Sequence, residues 1–144
     1  AKYNEIALAG FDLEVDIPEE PLFCDIDAQQ FRRVFENIIA NALRHNQEGT
    51  ILRFKIAAEG NSIKITISDN GKGIPPEIAD VIFEPFTVGD ESRNSKQGTG
   101  LGLAIAKKIV KSHKGYISLS KKPEKGMSTE FIIWMKMGET LSET

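Results

Sequence analysis

The sequence predicts an α+β fold, a two-layer α/β sandwich in which about five strands form a mixed, mostly antiparallel sheet with three main helices on one face. Segments that alternate apolar and polar residues occur together with segments whose apolar residues recur at helical spacing. Strand-like segments separated by short turns favour antiparallel pairs. At 144 residues, one domain is expected, with its core at about 11–135.

The first elements come from the N-terminal third of the chain. Residues 11–17 alternate apolar and acidic side chains, which is typical of a half-buried strand that two prolines then end. Residues 22–26 could form a second short strand. Asp27 is predicted to cap a helix over about 28–46, because Ser, Thr, Asp and Asn are preferred at that position. One face of this helix is apolar: Phe31, Val34, Phe35, Ile38 and Ala42.

The middle of the chain predicts a strand pair and a short helix. Strands are expected over 51–57 and 63–68, around turn residues at 60 and 61. Two prolines then begin a helix over 77–81, since proline is tolerated in a first helical turn.

The last third begins with a segment of no clear period, about 84–99, which we expect to be a mobile lid because long loops inside compact domains are often functional. A helix follows from Gly100 to about His113, and Gly115 is predicted to end it. Strands over 116–120 and 129–135 would close the sheet as an antiparallel pair.

Composition excludes several classes of protein. A net charge of -3 leaves no broad electrostatic footprint for nucleic acid. Cys24 is the only cysteine, which excludes an intrachain disulfide and a cysteine-cluster metal site and fits a reducing, cytoplasmic compartment. No apolar run reaches the roughly 20 residues of a membrane span, so no membrane contact is expected from this domain. The chain begins at Ala1 without a visible signal peptide, and could be a piece of a longer protein.

Two amides mark the first candidate site. Asn37 and Asn41 lie four positions apart, so they project from the same side of their helix, and Arg44 continues that side. Amide oxygens are hard ligands that Mg²⁺ accepts together with water and phosphates. A solvated helix face is the alternative, although asparagine is a poor helix former.

A carboxylate marks the second candidate site. Asp69 ends a buried-looking strand and is followed by Asn70, Gly71, Lys72 and Gly73. A carboxylate accepts a hydrogen bond from an exocyclic amine such as that of adenine, and glycines let the backbone approach a flat ring. An ordinary turn is the alternative, since this sequence also suits one.

A glycine loop marks the third candidate site. Gly98, Gly100 and Gly102 precede a helix, whose free N–H groups and dipole favour an anion. The loop is neither a Walker loop nor a dinucleotide fingerprint. Arg93 and Lys96 lie upstream, where they could reach phosphates or simply belong to a solvated loop.

The histidines and two phenylalanines have plainer interpretations. His113 is expected to be a helix-end residue without a catalytic role, whereas His45 could contact a nucleotide because it follows Arg44. Phe83 and Phe86 are expected to pack beneath the lid.

Together, these motifs resemble the ATP-binding catalytic domain of bacterial sensor histidine kinases, in the superfamily shared with gyrase, Hsp-type chaperones and mismatch-repair ATPases, which has the Bergerat-type fold. ENIIANALRHN resembles the N box, SDNGKGIP the first glycine box, IFEPF the F box and GTGLGLAIAKKIV the second glycine box. The resemblance covers about residues 11–135.

The resemblance implies a role for each candidate residue. Asn37 and Asn41 would bind Mg²⁺ with the triphosphate of ATP, and Asp69 would bind the adenine amino group. Arg93 and Lys96 would lie near the transferred group. The remaining nucleotide contacts would come from Gly71, Gly73 and Ile74 in the base pocket, from Gly98, Thr99, Gly100, Leu101 and Gly102 around the phosphates, and from Arg44 and His45.

One position separates transfer from hydrolysis within this superfamily. The hydrolysing ATPases carry a glutamate four residues before the metal-binding asparagine, where this chain has Asn37. An amide cannot take a proton at neutral pH, and Glu36 points about 100° away around the helix. The resemblance therefore favours transfer to a protein nucleophile over hydrolysis.

The partners follow from the same resemblance. The acceptor histidine would lie on a separate dimerisation domain of the same parent protein, which is not expected within these 144 residues, and a response regulator would act downstream. The parent could be anchored in a membrane, with this domain on the cytoplasmic side. A serine kinase of the anti-sigma-factor type and a nucleotide-sensing module without turnover remain as alternatives.

Overall fold

The structure is a computed structural model that describes residues 6–7, 10–85 and 101–138. Its strands and helices follow one another along the chain in this order: β1 (Asp12–Asp16), α1 (Ala28–His45), β2 (Ile51–Glu59), β3 (Ser62–Asp69), α2 (Pro76–Ala79), α3 (Gly102–Ser112), β4 (Tyr116–Leu119) and β5 (Thr129–Lys136).

The five strands form one sheet in the order β1-β2-β3-β5-β4. β1 pairs with β2 in parallel, and the other three pairs are antiparallel. The sheet is therefore mixed and mostly antiparallel, as the sequence predicts. Because β3 and β5 run in opposite directions, the last residue of β3, Asp69, lies opposite the first residue of β5, Thr129.

The core lies between one face of the sheet and the helices. Alternate residues of β3 and β5, such as Ile65 and Ile133, are buried on that face. Val34 of α1 and Val110 of α3 have no exposed surface and pack against them. Burial of an apolar side chain of this size contributes about 1.5–3 kcal/mol. The packing in this layer fixes the positions of the ends of α1 and α3 relative to the sheet.

The start of α1 has the predicted cap. The Asp27 carboxylate accepts hydrogen bonds from the backbone N–H groups of Gln29 and Gln30, at 3.0 and 3.2 Å. These bonds satisfy two of the four donors that a helix leaves unpaired at its N-terminus.

The prediction of a strand at 22–26 was wrong. This segment is irregular, and the five-stranded sheet does not include it. The N–H of Gly138 donates to the carbonyl of Phe23, which holds the segment beside the C-terminal end of β5 without a ladder. An apolar run next to prolines can pack against the core without pairing as a strand. Leu22, Cys24 and Ile26 do so, and each is partly buried against the core.

Gly115 follows the end of α3, as predicted, and its N–H donates to the Val110 carbonyl in the last turn. The residue with the left-handed backbone is Lys114, with φ of 63°. Gly115 is required instead because a Cβ atom there would overlap Met135 and the Trp134 carbonyl. The element bounds also differ by a few residues, most clearly for α2, which begins at Pro76 and ends at Ala79.

Candidate functional site

The site is a cavity of about 500 Å³ at one end of the two layers. It lies where the C-terminal ends of α1 and β3 meet the N-terminal ends of α3 and β5. A volume of this size is typical of small-molecule sites. Its lining includes seven residues that the sequence indicated: Asn41, Arg44, His45, Asp69, Gly73, Ile74 and Gly102.

Asp69 supplies a carboxylate to this cavity. Its side chain is buried, and burial raises the pKa of the carboxyl group, while hydrogen bonds from the Gly71 N–H and the Asn46 side chain lower it. The Gly71 N–H lies 3.0 Å from Oδ1. A carboxylate held in this way is an acceptor for a ligand N–H donor, as a pocket for an amino-purine requires.

The turn after Asp69 is fastened to the start of β5. The Ser128 N–H donates to the Asp69 carbonyl at 2.8 Å, and the Ser128 hydroxyl donates to the Gly71 carbonyl at 2.6 Å. Gly73 has a φ of 79°, which a residue with a side chain rarely adopts, so a glycine is needed there. The first glycine box is thus a rigid wall of the cavity.

The two amides of α1 have different surroundings. Asn41 lines the cavity, whereas Asn37 lies outside the lining and donates from Nδ2 to the Gly102 carbonyl at 3.0 Å. This bond uses the nitrogen of the Asn37 amide, so its oxygen is the atom that could still bind a cation. Two amide oxygens one turn apart fit Mg²⁺, which keeps several waters and shares phosphate oxygens.

Basic side chains border the same cavity. Arg44 and His45 come from the last turn of α1, and Lys72 from the glycine turn. Partial burial lowers the pKa of Arg44, although a guanidinium stays charged at neutral pH. Positive charge beside a cavity favours a polyanionic ligand.

The first turn of α3 supplies backbone donors. Gly102 and Leu103 line the cavity, and Leu101, at the N-cap, has no side-chain cap bond. N–H groups of a first helical turn are suited to a phosphate. Gly98, Thr99, Gly100, Arg93 and Lys96 lie outside the described residues, as do Phe86 and the predicted lid except for Glu84 and Pro85.

Sequence reasoning missed part of the lining. Asn46, Lys72, Ser128 and Thr129 all contribute to the cavity, together with the apolar side chains of Ile78, Ile82 and Leu103. Ser128 and Thr129 are far from Asp69 in the sequence. The β3–β5 pairing brings Thr129 opposite Asp69, and the Ser128 N–H bonds the Asp69 carbonyl. A signal for Asn46 was available, since it is the last residue of the predicted helix and its side chain can bond the last turn.

Three residues that the sequence singled out lie outside the cavity, and their surroundings indicate a role in the fold. His113 accepts a hydrogen bond at Nε2 from the Asp27 N–H, at 3.1 Å, and stacks edge-on against Phe31. Phe83 packs edge-on against Phe131. Cys24 is half-buried, and burial and the Asp25 charge raise the pKa of its thiol, which disfavours a thiolate nucleophile.

Two other features are absent from the part of the chain that the structure describes. Over residues 6–7, 10–85 and 101–138 there is no cluster of three or more His, Cys, Asp or Glu side chains suited to a metal ion. Within the same ranges, no helix combines the length and the apolarity that crossing a membrane requires.

The fold and this cavity define a class of ATP-binding domain, and comparison with known proteins identifies it. The family model described as histidine kinase-, DNA gyrase B-, and HSP90-like ATPase matches residues 26–139. The chain therefore belongs to this family, as an ATP-binding catalytic domain of the histidine kinase type.

Individual relatives agree with this assignment. The probable sensor histidine kinase TcrY of Mycobacterium tuberculosis is 39% identical over 123 residues, which cover 83% of this chain and 26% of TcrY. The structure of the Acinetobacter baumannii histidine kinase AdeS matches with a TM-score of 0.72 and 28% identity, over 95% of this chain and 59% of that one. The mycobacterial sensor histidine kinase MprB shares the fold, with a TM-score of 0.79, 24% identity and coverage of 96% and 92%. The chain thus spans about a quarter of the length of TcrY, at 26%.

Proposed function

We propose that this domain binds Mg-ATP in the cavity and transfers the γ-phosphoryl group to a histidine on a separate dimerisation domain of the same parent protein. The observation that carries the proposal is that Asp69 and the first turn of α3 border one cavity. The carboxylate suits the adenine amino group, and the helix N-terminus suits the phosphates. A response regulator would then receive the phosphoryl group. Since ATP is the donor, we expect the domain to act in the cytoplasm.

Mg²⁺ would be held by the amide oxygens of Asn37 and Asn41 together with phosphate oxygens and water. When bound, it neutralises negative charge on the phosphates. Arg44 and Lys72 would add positive charge from the protein side. Arg93 and Lys96 would approach the transferred group, and Gly98, Thr99, Gly100 and Leu101 would complete the phosphate contacts.

The expected reaction is an in-line displacement. An imidazole nitrogen of the acceptor forms a bond to the γ-phosphorus, the bond from that phosphorus to the β,γ-bridging oxygen breaks, and ADP leaves with the electron pair. Glu36 is exposed, and Asp69 is the one acid among the described residues that line the cavity. With Asp69 bound to the base, the described lining residues offer no further carboxylate to activate water, which favours transfer over hydrolysis.

The test is transfer to a supplied acceptor. The chain is mixed with γ-labelled ATP, Mg²⁺ and the dimerisation domain, and labelled protein is examined for acid stability. We expect acid-labile phosphate on the acceptor, lost when EDTA removes the metal or when the acceptor histidine is replaced by glutamine. Acid-stable label would indicate a serine kinase, and ATP binding without transfer would indicate a nucleotide sensor.

A further inference from the structure

Asn46, the residue that follows α1, joins this helix to the glycine turn after Asp69. Its side-chain nitrogen donates to the Ala42 carbonyl at 3.0 Å, inside the last turn of α1. Its side-chain oxygen accepts from the Lys72 N–H at 3.1 Å. One side chain therefore bonds both the helix end and the turn, which fixes the distance between two walls of the cavity.

The turn packs closely around this amide. A Cβ atom at Gly71 would overlap Oδ1 and Cγ of Asn46. Gly71 is not among the residues with positive φ, so its backbone does not require a glycine. The space occupied by Asn46 is what excludes a side chain at this position.

The contact continues to the Asp69 carboxylate. The N–H of Gly71 donates to Asp69 Oδ1 at 3.0 Å, and the amide of Asn46 adds a hydrogen bond that lowers the pKa of Asp69 against the effect of burial. Among the described residues, Arg44, His45 and Lys72 are the other charged or titratable groups that line the cavity. Asn46 thus favours both the position and the ionised form of the acceptor.

We propose that Asn46 is a positioning residue that sets selectivity for purines carrying a 6-amino group, by holding Asp69 and the Gly71 turn in place. This inference rests on the proposed function, because Asp69 must bind adenine for Asn46 to act through it. A merely structural Asn46 would affect all nucleotides alike, whereas a residue that acts through Asp69 affects those that donate a hydrogen bond to it.

The first experiment measures selectivity by calorimetry. Wild type and Asn46→Ala are titrated with Mg-ATP and with the Mg²⁺ complex of purine riboside triphosphate, which lacks the amino group. We expect about a tenfold loss of ATP affinity in the variant, the equivalent of one hydrogen bond to a charged group. The affinity for the analogue should stay within about twofold, which is small beside that effect. Asn61→Ala, in the exposed turn between β2 and β3, is the matched control and should change neither.

A second variant covers the case in which Asn46→Ala does not fold. Asn46→Asp has nearly the same shape and keeps the acceptor for the Lys72 N–H, but it lacks the donor and adds a negative charge beside Asp69. It should lose at least as much ATP affinity, again without a matching loss for the analogue. Equal losses for both nucleotides in both variants would overturn the inference.

The third experiment tests the contact with Gly71. Gly71→Ala should weaken Mg-ATP binding in wild type and add little in the Asn46→Ala background, where the space is open. If Gly71→Ala has the same effect in both backgrounds, the contact does not operate as proposed. A wild type that fails to bind Mg-ATP overturns the proposed function as well, whereas ATP binding with unchanged selectivity in Asn46→Ala overturns this inference alone.

Discussion

At the residue scale, burial of the Asp69 carboxylate costs stability, and the proposed binding of adenine would account for this cost. Burial raises the pKa of its carboxyl group above that of the unfolded chain. The folded state therefore binds a proton more tightly than the unfolded state between the two pKa values. Stability falls as pH rises through this window, and at neutral pH the buried charge lowers the free energy of unfolding.

Replacing this charge separates stability from binding. In Asp69→Asn, the side-chain oxygen can still accept from the Gly71 N–H, and the buried charge is gone. We expect a melting temperature at pH 7 equal to or above that of wild type. The difference should shrink as the pH is lowered from 7 to 4, because acid favours the protonated form of the Asp69 carboxyl group, whose pKa is raised. Affinity for ATP at pH 7 should fall by about tenfold or more. Thermal unfolding at both pH values and calorimetry at pH 7 check this.

The exposed Asp16 of β1 gives the control for this prediction. Asp16→Asn should leave ATP affinity unchanged, and its effect on melting should not follow that of Asp69→Asn. A clear loss of stability in Asp69→Asn at pH 7 would contradict the assigned cost of the buried charge.

Among single residues, those predicted from the sequence were the ones whose chemistry is evident from their place in a helix or strand. Asp69 and Asn41 were predicted from their places at the ends of a strand and on a helix face, and both line the cavity. Their roles in binding remain predictions. Asn46 and Ser128 were missed because their importance comes from contacts made across the fold, to Lys72 and Gly71.

At the element scale, the end of α3 is a Schellman motif with an unfavourable residue. The N–H of Gly115 bonds the Val110 carbonyl and the N–H of Lys114 bonds the Lys111 carbonyl, which are the two bonds of this motif. In this motif one residue has a left-handed backbone, and here that residue is Lys114, with φ of 63°. A left-handed backbone costs a residue with a Cβ atom about 1–2 kcal/mol.

Lys114→Gly should therefore stabilise the domain. We expect a gain of about 1 kcal/mol, less than the full strain because glycine also gives the unfolded chain more freedom. The melting temperature should rise by about 2–4 °C. Lys111→Gly is a matched control within the last turn of the same helix, where the substitution should instead cost about 1 kcal/mol. Equal effects at both positions would refute this account of the helix end.

The elements show which sequence signals were reliable. Both long helices were predicted by the spacing of their apolar residues, because a helix of several turns repeats its signal. The short segment at 22–26 has too few residues for a period, so an irregular chain covering the core could not be distinguished from a strand. At the end of α3, glycine is favoured at two adjacent positions. The left-handed backbone favours it at position 114, and the close approach of Met135 and Trp134 requires it at position 115, where the chain has it.

At the scale of the whole molecule, α1 and α3 lie antiparallel and are joined by side chains at both ends. At the cavity end, the Asn37 amide donates to the Gly102 carbonyl. At the far end, His113 accepts from the Asp27 N–H and packs against Phe31. The two contacts are separated by the length of α3, roughly 16 Å at 1.5 Å per residue. The sequence predicted both helices and the sheet class, but neither contact, since each joins residues far apart in the chain.

The far contact should influence stability without influencing nucleotide binding. His113→Ala removes the acceptor and the ring contact, and we expect a loss of about 1 kcal/mol, or about 2–4 °C in melting temperature. Mg-ATP at about 100 times its Kd adds about 2.7 kcal/mol to any variant that retains the site. The melting temperature should therefore rise by about 5–10 °C in both wild type and His113→Ala. Asp69→Asn should show a smaller rise at the same ATP concentration, because its affinity is lower. An increment that shrinks in His113→Ala as much as in Asp69→Asn would mean that the two ends of the helix pair are coupled, so that the site could not be treated as independent of the contact at the far end.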